Sequence, residues 1–199
     1  MLYEIEDRLY VALTERCPAA CRFCVKKVWG MQFRGADLSV AKEPEAGEVI
    51  DALNARLDRG GVREVVFCGF GECTYRLDAL SAAGLHLRLH RPGIRVRLNT
   101  IGLGNLIWKR DITKLLALSL HEVSVSLNTA DPDQWVDMHR PAPAMREQGF
   151  ESVLAFTSGC VAAGLSARVT AISQPRVDLD RVQELAASLG ASFLPRPPL

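Results

Sequence analysis

Leu9-Tyr10-Val11-Ala12-Leu13-Thr14-Glu15-Arg16-Cys17-Pro18-Ala19-Ala20-Cys21-Arg22-Phe23-Cys24 is the stretch that decides how this chain is read. Its first five residues are an apolar run with the length and composition of a buried strand. The run passes directly into a loop that holds three of the chain's six cysteines, separated by three residues and then by two. Thiolates are soft ligands suited to zinc and to iron–sulfur clusters. A tight loop can wrap three of them around one corner of a 4Fe–4S cubane, which leaves one iron open to a ligand from outside the protein. A structural zinc would ask for a fourth Cys or His. The nearest, Cys68, Cys73 and His86, are far away in the sequence.

Outward from this loop, strand-like and helix-like stretches alternate. Strands are expected at 9–13, 64–68, 94–99, 122–127, 167–172 and 191–194. Helices are expected at 46–57, 77–89, 111–118, 150–163 and 178–189, the last with Asp178 as N-cap and Gly190 as its stop. Such alternation implies an α/β fold with parallel strands. Six units fall short of the eight that close a full barrel, and a doubly wound open sheet would give the same pattern. Residues 25–43 form the longest irregular piece, a length at which loops tend to be functional or mobile.

The chain has 199 residues, of which 48% are hydrophobic, enough for a single domain spanning 1–199 with its own core. A formal net charge of +1 does not imply a broad nucleic-acid-binding face. The acidic start Met1-Leu2-Tyr3-Glu4-Ile5-Glu6-Asp7 does not resemble a signal peptide. The longest uncharged stretch, 152–167, is too short and polar to span a bilayer. These features point to a cytoplasmic protein without a membrane partner, in which clustered cysteines are metal ligands or reactive thiols.

The loop resembles the CxxxCxφC signature of the radical SAM superfamily, with Phe23 at the aromatic φ position. A second match follows the second strand. In Phe67-Cys68-Gly69-Phe70-Gly71-Glu72-Cys73-Thr74 the superfamily carries its "GGE" segment. The resemblance implies a partial (β/α)6 TIM-like barrel. Its cofactors would be a 4Fe–4S cluster on Cys17, Cys21 and Cys24 and S-adenosylmethionine (SAM). SAM would be cleaved reductively to a 5′-deoxyadenosyl radical. It further implies that Gly69, Gly71 and Glu72 line the SAM site, with Glu72 accepting from the ammonium group. By the same resemblance Ser126 and Asn128 would touch the ribose or methionine end of SAM and Arg140 its carboxylate, while Asn99, at the end of the third strand, joins them in a polar rim that binds the cofactor. Cys73 departs from the pattern, since relatives usually carry Pro there; it is read as a buried hydrophobe.

Across the whole chain the resemblance is to the small TatD-associated radical SAM proteins. It is carried by Leu13-Thr14-Glu15-Arg16-Cys17, by Val66-Phe67-Cys68-Gly69-Phe70-Gly71-Glu72, by Val123-Ser124-Val125-Ser126-Leu127-Asn128, and by the run from Arg97-Leu98-Asn99-Thr100 through Ile101-Gly102-Leu103-Gly104-Asn105-Leu106-Ile107. It implies an unidentified substrate, a reductant such as flavodoxin or ferredoxin, and a functional link to a TatD-type hydrolase. The competing reading is a non-catalytic iron–sulfur or zinc module for electron transfer or redox sensing, with Cys68 or Cys73 as fourth ligand. A third is a diverged member that binds SAM without turning it over. His86, Arg88, His90, Arg91, Arg95 and Arg97 are read as a solvated basic helix end. Trp29 is read as a stacking or lid residue, and Arg22, Lys26, Lys27 and Arg34 as cations beside the cluster loop.

Overall fold

The computed structural model describes residues 1–33 and 35–198, with the side chains of Val28 and Trp29 set aside. The readings of the Trp29 side chain and of Arg34 therefore lie outside the described residues.

Seven strands form the main sheet, in the order β1 (Leu2–Ile5), β2 (Arg8–Val11), β5 (Glu64–Phe67), β6 (Arg95–Thr100), β7 (Glu122–Ser126), β8 (Ser166–Ile172) and β9 (Ser192–Arg196). From β2 to β9 every pairing is parallel, as expected of β-α units. The added strand is β1, antiparallel to β2 across the tight turn Glu6-Asp7, where Glu6 takes a φ of 56°. Neither turn residue is Gly or Asn, so the usual hairpin signal is missing. The loop at 25–43 contains a one-turn helix α1 (Lys26–Trp29) and a small hairpin of β3 (Gln32–Phe33) and β4 (Ala36–Asp37).

The helices that pack on the sheet include α2 (Ala46–Leu57), α3 (Leu77–His90), α5 (Thr113–Ser119), α7 (Gly149–Ala162) and α8 (Leu179–Ser188). A shorter helix, α4 (Gly104–Trp108), follows β6. Asp178 caps α8 by accepting from Arg181 N at 3.0 Å, and Gly190 follows its end with a φ of 75°. The sequence pattern missed α6 (Pro132–His139), although Asp131-Pro132 marks its start: Asp131 Oδ1 accepts from Gln134 N at 2.8 Å and Pro takes the first helical position. Among the described residues no helix is long and apolar enough to cross a membrane.

Side chains alternate across the sheet with period two. One face carries Leu9, Val11, Val65, Phe67, Val96, Leu98, Val123, Val125 and Val169, all buried in the core shared with the helices. The other face is polar: Tyr10, Arg97, Asn99, Ser124, Ser126, Arg168, Thr170 and Arg196 line open cavities. The sheet curls enough for Arg196 on one edge strand to share a cavity with Tyr3 and Ile5 on the opposite edge. This is a partial barrel, helices outside and a polar interior, with Phe33 and Leu38 from the 25–43 loop walling part of its open side.

Candidate functional site

The cysteine loop leaves the carboxyl end of β2 and is held from three directions. Beneath it, Glu72 N donates to Arg16 O at 2.8 Å. Beside it, Glu43 binds the Thr14 hydroxyl and accepts from Arg16 Nε at 2.8 Å. On its far side, the end of α6 and the segment after it pair with it through Ala20 N to Arg140 O (3.1 Å), Ala142 N to Pro18 O (2.8 Å) and Arg22 N to Met138 O (2.9 Å). Cys17 is exposed, Cys21 buried and Cys24 half-buried. Although Cys17 is exposed as a residue, desolvation of its sulfur and, less so, its neighbouring groups raise its thiol to about 11, and burial with the neighbouring thiols raises that of Cys21 to about 12. The three sulfurs therefore stand close enough to feel one another's charge. Cys17 and Cys21 are protonated at neutral pH until a cationic partner takes them as thiolates. Among the described residues, no three or more Cys, His, Asp or Glu side chains are already gathered for a single metal ion.

The Gly residues after β5 are required by close packing. Neither Gly69 nor Gly71 takes a positive φ. A Cβ on Gly69 would lie 2.7 Å from Ala12 Cβ, and one on Gly71 2.2 Å from Thr14 O. They are small because the strand end runs against the cysteine loop itself. The same approach brings Glu72 to the bottom of a cleft of about 250 Å³ lined also by Cys17, Gly69, Gly71, Asn99 and Ser126. Five of the expected site residues thus converge with one cysteine.

Glu72 is 2% exposed, and burial pushes its carboxyl upward. Four donors hold it: Thr74 N (3.1 Å), Thr74 Oγ1 (2.9 Å) and Thr100 Oγ1 (2.9 Å) on Oε1, and Ile101 N (2.9 Å) on Oε2. In Glu72→Gln one oxygen becomes an NH₂ facing a donor, so the variant is expected to lose about 1–3 kcal/mol of stability in urea unfolding. An unchanged midpoint and slope would show that these donors turn to water instead.

Three expected contacts lie elsewhere. Asn128 is fully buried with a φ of 66°; its Oδ1 accepts from Ile172 N at 3.1 Å and its Nδ2 faces His139 Nε2 at 3.3 Å. It ties β7 to β8 rather than lining the cleft. The Arg140 side chain is exposed, and it is the Arg140 carbonyl that touches the cysteine loop. Phe23 packs edge-on against His139 at 5.1 Å. Sequence reasoning missed His139, whose Nδ1 lies 3.7 Å from Cys21 Sγ and whose ring stacks on Trp135 at 4.9 Å. Burial lowers its pKa to about 4, so the ring is neutral. Its only sequence signal was a place on an unrecognised helix.

The basic patch divides in two, which corrects its reading as a single solvated helix end. His86 and Arg91 bond to Asn54 and Asp58 on the outside. Arg97 instead faces the barrel interior, where it binds both Glu64 oxygens (2.9 and 3.0 Å) and Asn99 Oδ1 (2.6 Å). Cys73 is 1% exposed within the helix-facing core, in keeping with a buried hydrophobe.

The family model described as the radical SAM superfamily matches residues 11–189. The chain belongs to the radical SAM superfamily. A GTP 3′,8-cyclase from Corynebacterium glutamicum (strain R) is 30% identical over 200 residues, covering 96% of this chain and 49% of that protein. The chain thus spans about half the length of the curated relatives it matches. Streptococcus suis SuiB bound to precursor peptide SuiA shares the fold with a TM-score of 0.71 at 16% identity, covering 100% of this chain and 40% of that one. TsrM from Kitasatospora setae, a radical SAM methyltransferase with cobalamin and a [4Fe–4S] cluster bound, does so at 0.59 and 16%, covering 94% and 36%. A radical SAM protein uses a 4Fe–4S cluster and SAM, and the thiol set in this chain suits that cluster in ligand type and number.

Proposed function

We propose that Cys17, Cys21 and Cys24 ligate the cluster, that SAM occupies the polar cleft above Glu72, and that a substrate in the adjoining cavity gives up a hydrogen atom. The observation that carries this reading is the shared cleft: Cys17, Glu72, Asn99 and Ser126 line one space of about 250 Å³. When bound, the cluster supplies one electron to the SAM sulfonium and so releases a 5′-deoxyadenosyl radical.

The residues of this chain bind, orient and shield. Glu72, fixed by its four donors, offers an acceptor that does not need to reorganise when an ammonium group arrives. Asn99 and Ser126 present short polar groups from rigid strands. His139 and Asn128 hold the loop after β7 against the cysteine loop, so the ligand set and the cleft keep one mutual geometry. Beside the cleft lies a cavity of about 880 Å³, lined by Tyr3, Tyr10, Phe33 and Phe70 and reached through Cys68, Gly69 and Arg196. Its apolar walls keep water from a reactive radical.

Narrower forms of the reading rest on the likenesses. A flavodoxin or ferredoxin would be the reductant, and the TatD-associated resemblance of residues 97–107 brings a link to a TatD-type hydrolase. The curated relatives' name offers GTP as a candidate substrate. The test is anaerobic cluster reconstitution, then dithionite and SAM, with and without GTP. 5′-Deoxyadenosine is expected, and its absence from protein with a full cluster would overturn the reading.

A further inference from the structure

Arg196 is a feature of the barrel interior that the proposed chemistry leaves unused. It sits near the end of β9 and lines both the polar cleft and the aromatic cavity. Its Nε is buried and makes no hydrogen bond, and no hydrogen bond or ion pair reaches its guanidinium among the described residues. The other interior arginines differ. Arg97 is matched by Glu64 and Asn99. Arg168 and Arg95 share Glu122, each at 2.9 Å, with two cations on one carboxylate. The Arg168 contact lacks hydrogen-bond alignment, so Glu122 Oε1 is left without a hydrogen bond. Arg168 lines the cleft together with Arg196.

Arg196 is half-buried, and a guanidinium whose buried Nε lacks a partner is costly unless a ligand supplies one. Its planar array of N–H donors matches the oxygens of a carboxylate or phosphate. The adjoining walls are Tyr3, Ile5, Tyr10, Phe33, Leu38 and Phe70, which suit an aromatic or aliphatic body. We infer that Arg196, assisted by Arg168, is an oxyanion-binding site for the substrate, which is a compact molecule with one carboxylate or phosphate on an apolar body. This rests on the reading of the larger cavity as the substrate site. Two interior cations in excess of their carboxylates suit one carboxylate or one phosphate group rather than a chain of phosphates.

The probes are 1-naphthaleneacetate, 1-naphthyl phosphate and the uncharged 1-naphthaleneacetamide, titrated calorimetrically into cluster-loaded protein, with SAM titrated in parallel. At least one anionic probe is expected to bind more tightly than the amide, and whichever binds identifies the oxyanion as carboxylate or phosphate. Arg196→Gln is expected to weaken it at least about tenfold, while Arg196→Lys retains part of the affinity. Both variants keep wild-type binding of the amide and of SAM, which shows that they are folded. Anion affinity unchanged in Arg196→Gln, or no preference for the anions over the amide, would overturn the inference. So would a loss of SAM affinity in Arg196→Gln, because Arg196 would then serve SAM. Anion binding that depends on Arg196 in a protein with no affinity for SAM would support this site and overturn the proposed function instead.

Discussion

Alanine at any one of Cys17, Cys21 or Cys24 is expected to give a folded protein that fails to hold a full cluster and forms no detectable 5′-deoxyadenosine from SAM. The folding part follows from position. Cys17 is exposed and Cys24 half-buried, so truncating either removes little packing. Cys21 is 7% exposed and touches His139, and its loss is expected to cost about 1 kcal/mol. The functional part follows from ligand number, because a cubane held by two thiolates has lost one of its three anchors. Iron and sulfide content per chain, with visible absorption after anaerobic reconstitution, is the measurement. Cys73→Ala and Cys160→Ala are the controls, since both thiols lie in the helix-facing core and should leave iron content unchanged. Cys68→Ala separates the enzyme from the electron-carrier reading. Cys68 shares the cleft with Cys17, so a cluster that disappears with it would have four protein ligands. Full iron content in Cys21→Ala would refute the ligand assignment itself.

The succession of strands and helices along the chain and the position of the cysteine loop were legible in the sequence because both are local. An apolar five-residue run followed by cysteines at fixed spacing needs no tertiary information. The interior of the barrel was not legible, for a physical reason. Arg97 and Arg168 alternate with Val96, Leu98 and Val169 along their strands. That pattern looks the same whether the polar face meets water or a closed cavity. Only the curl of the sheet decides, and it turns a presumed basic surface into a set of matched and unmatched interior charges. The Asn128 assignment met a similar limit. Its strand-end position pointed to a ligand, but its left-handed backbone turns the amide into the core beside Ile172 and His139. The packing that requires Gly69 and Gly71 was not legible, because close approach between two distant segments leaves no trace in either one.

That close approach sets the second large effect. Gly71→Ala is expected to displace the cysteine loop, cost about 3 kcal/mol or more in urea unfolding, and abolish cluster loading. The added Cβ would stand 2.2 Å from Thr14 O, 2.8 Å from Thr14 C and 2.8 Å from Arg16 O. All three are backbone atoms, so no side chain can swing aside to make room. Nor can the backbone yield freely. The next residue, Glu72, donates its N–H to the same Arg16 carbonyl at 2.8 Å, and the Thr14 hydroxyl accepts from Arg16 N at 3.0 Å while bonded to Glu43. Relief therefore requires Thr14 to Arg16 to move as a unit, carrying Cys17 away from Glu72. Gly93→Ala is the matched control, since its Cβ would meet nothing within 4 Å, and a change within about 0.5 kcal/mol is expected there. If Gly71→Ala behaves like Gly93→Ala and still loads iron, the glycine is not what seats the cysteine loop, and the coupling between ligand set and cleft must come from the contacts of α6 instead.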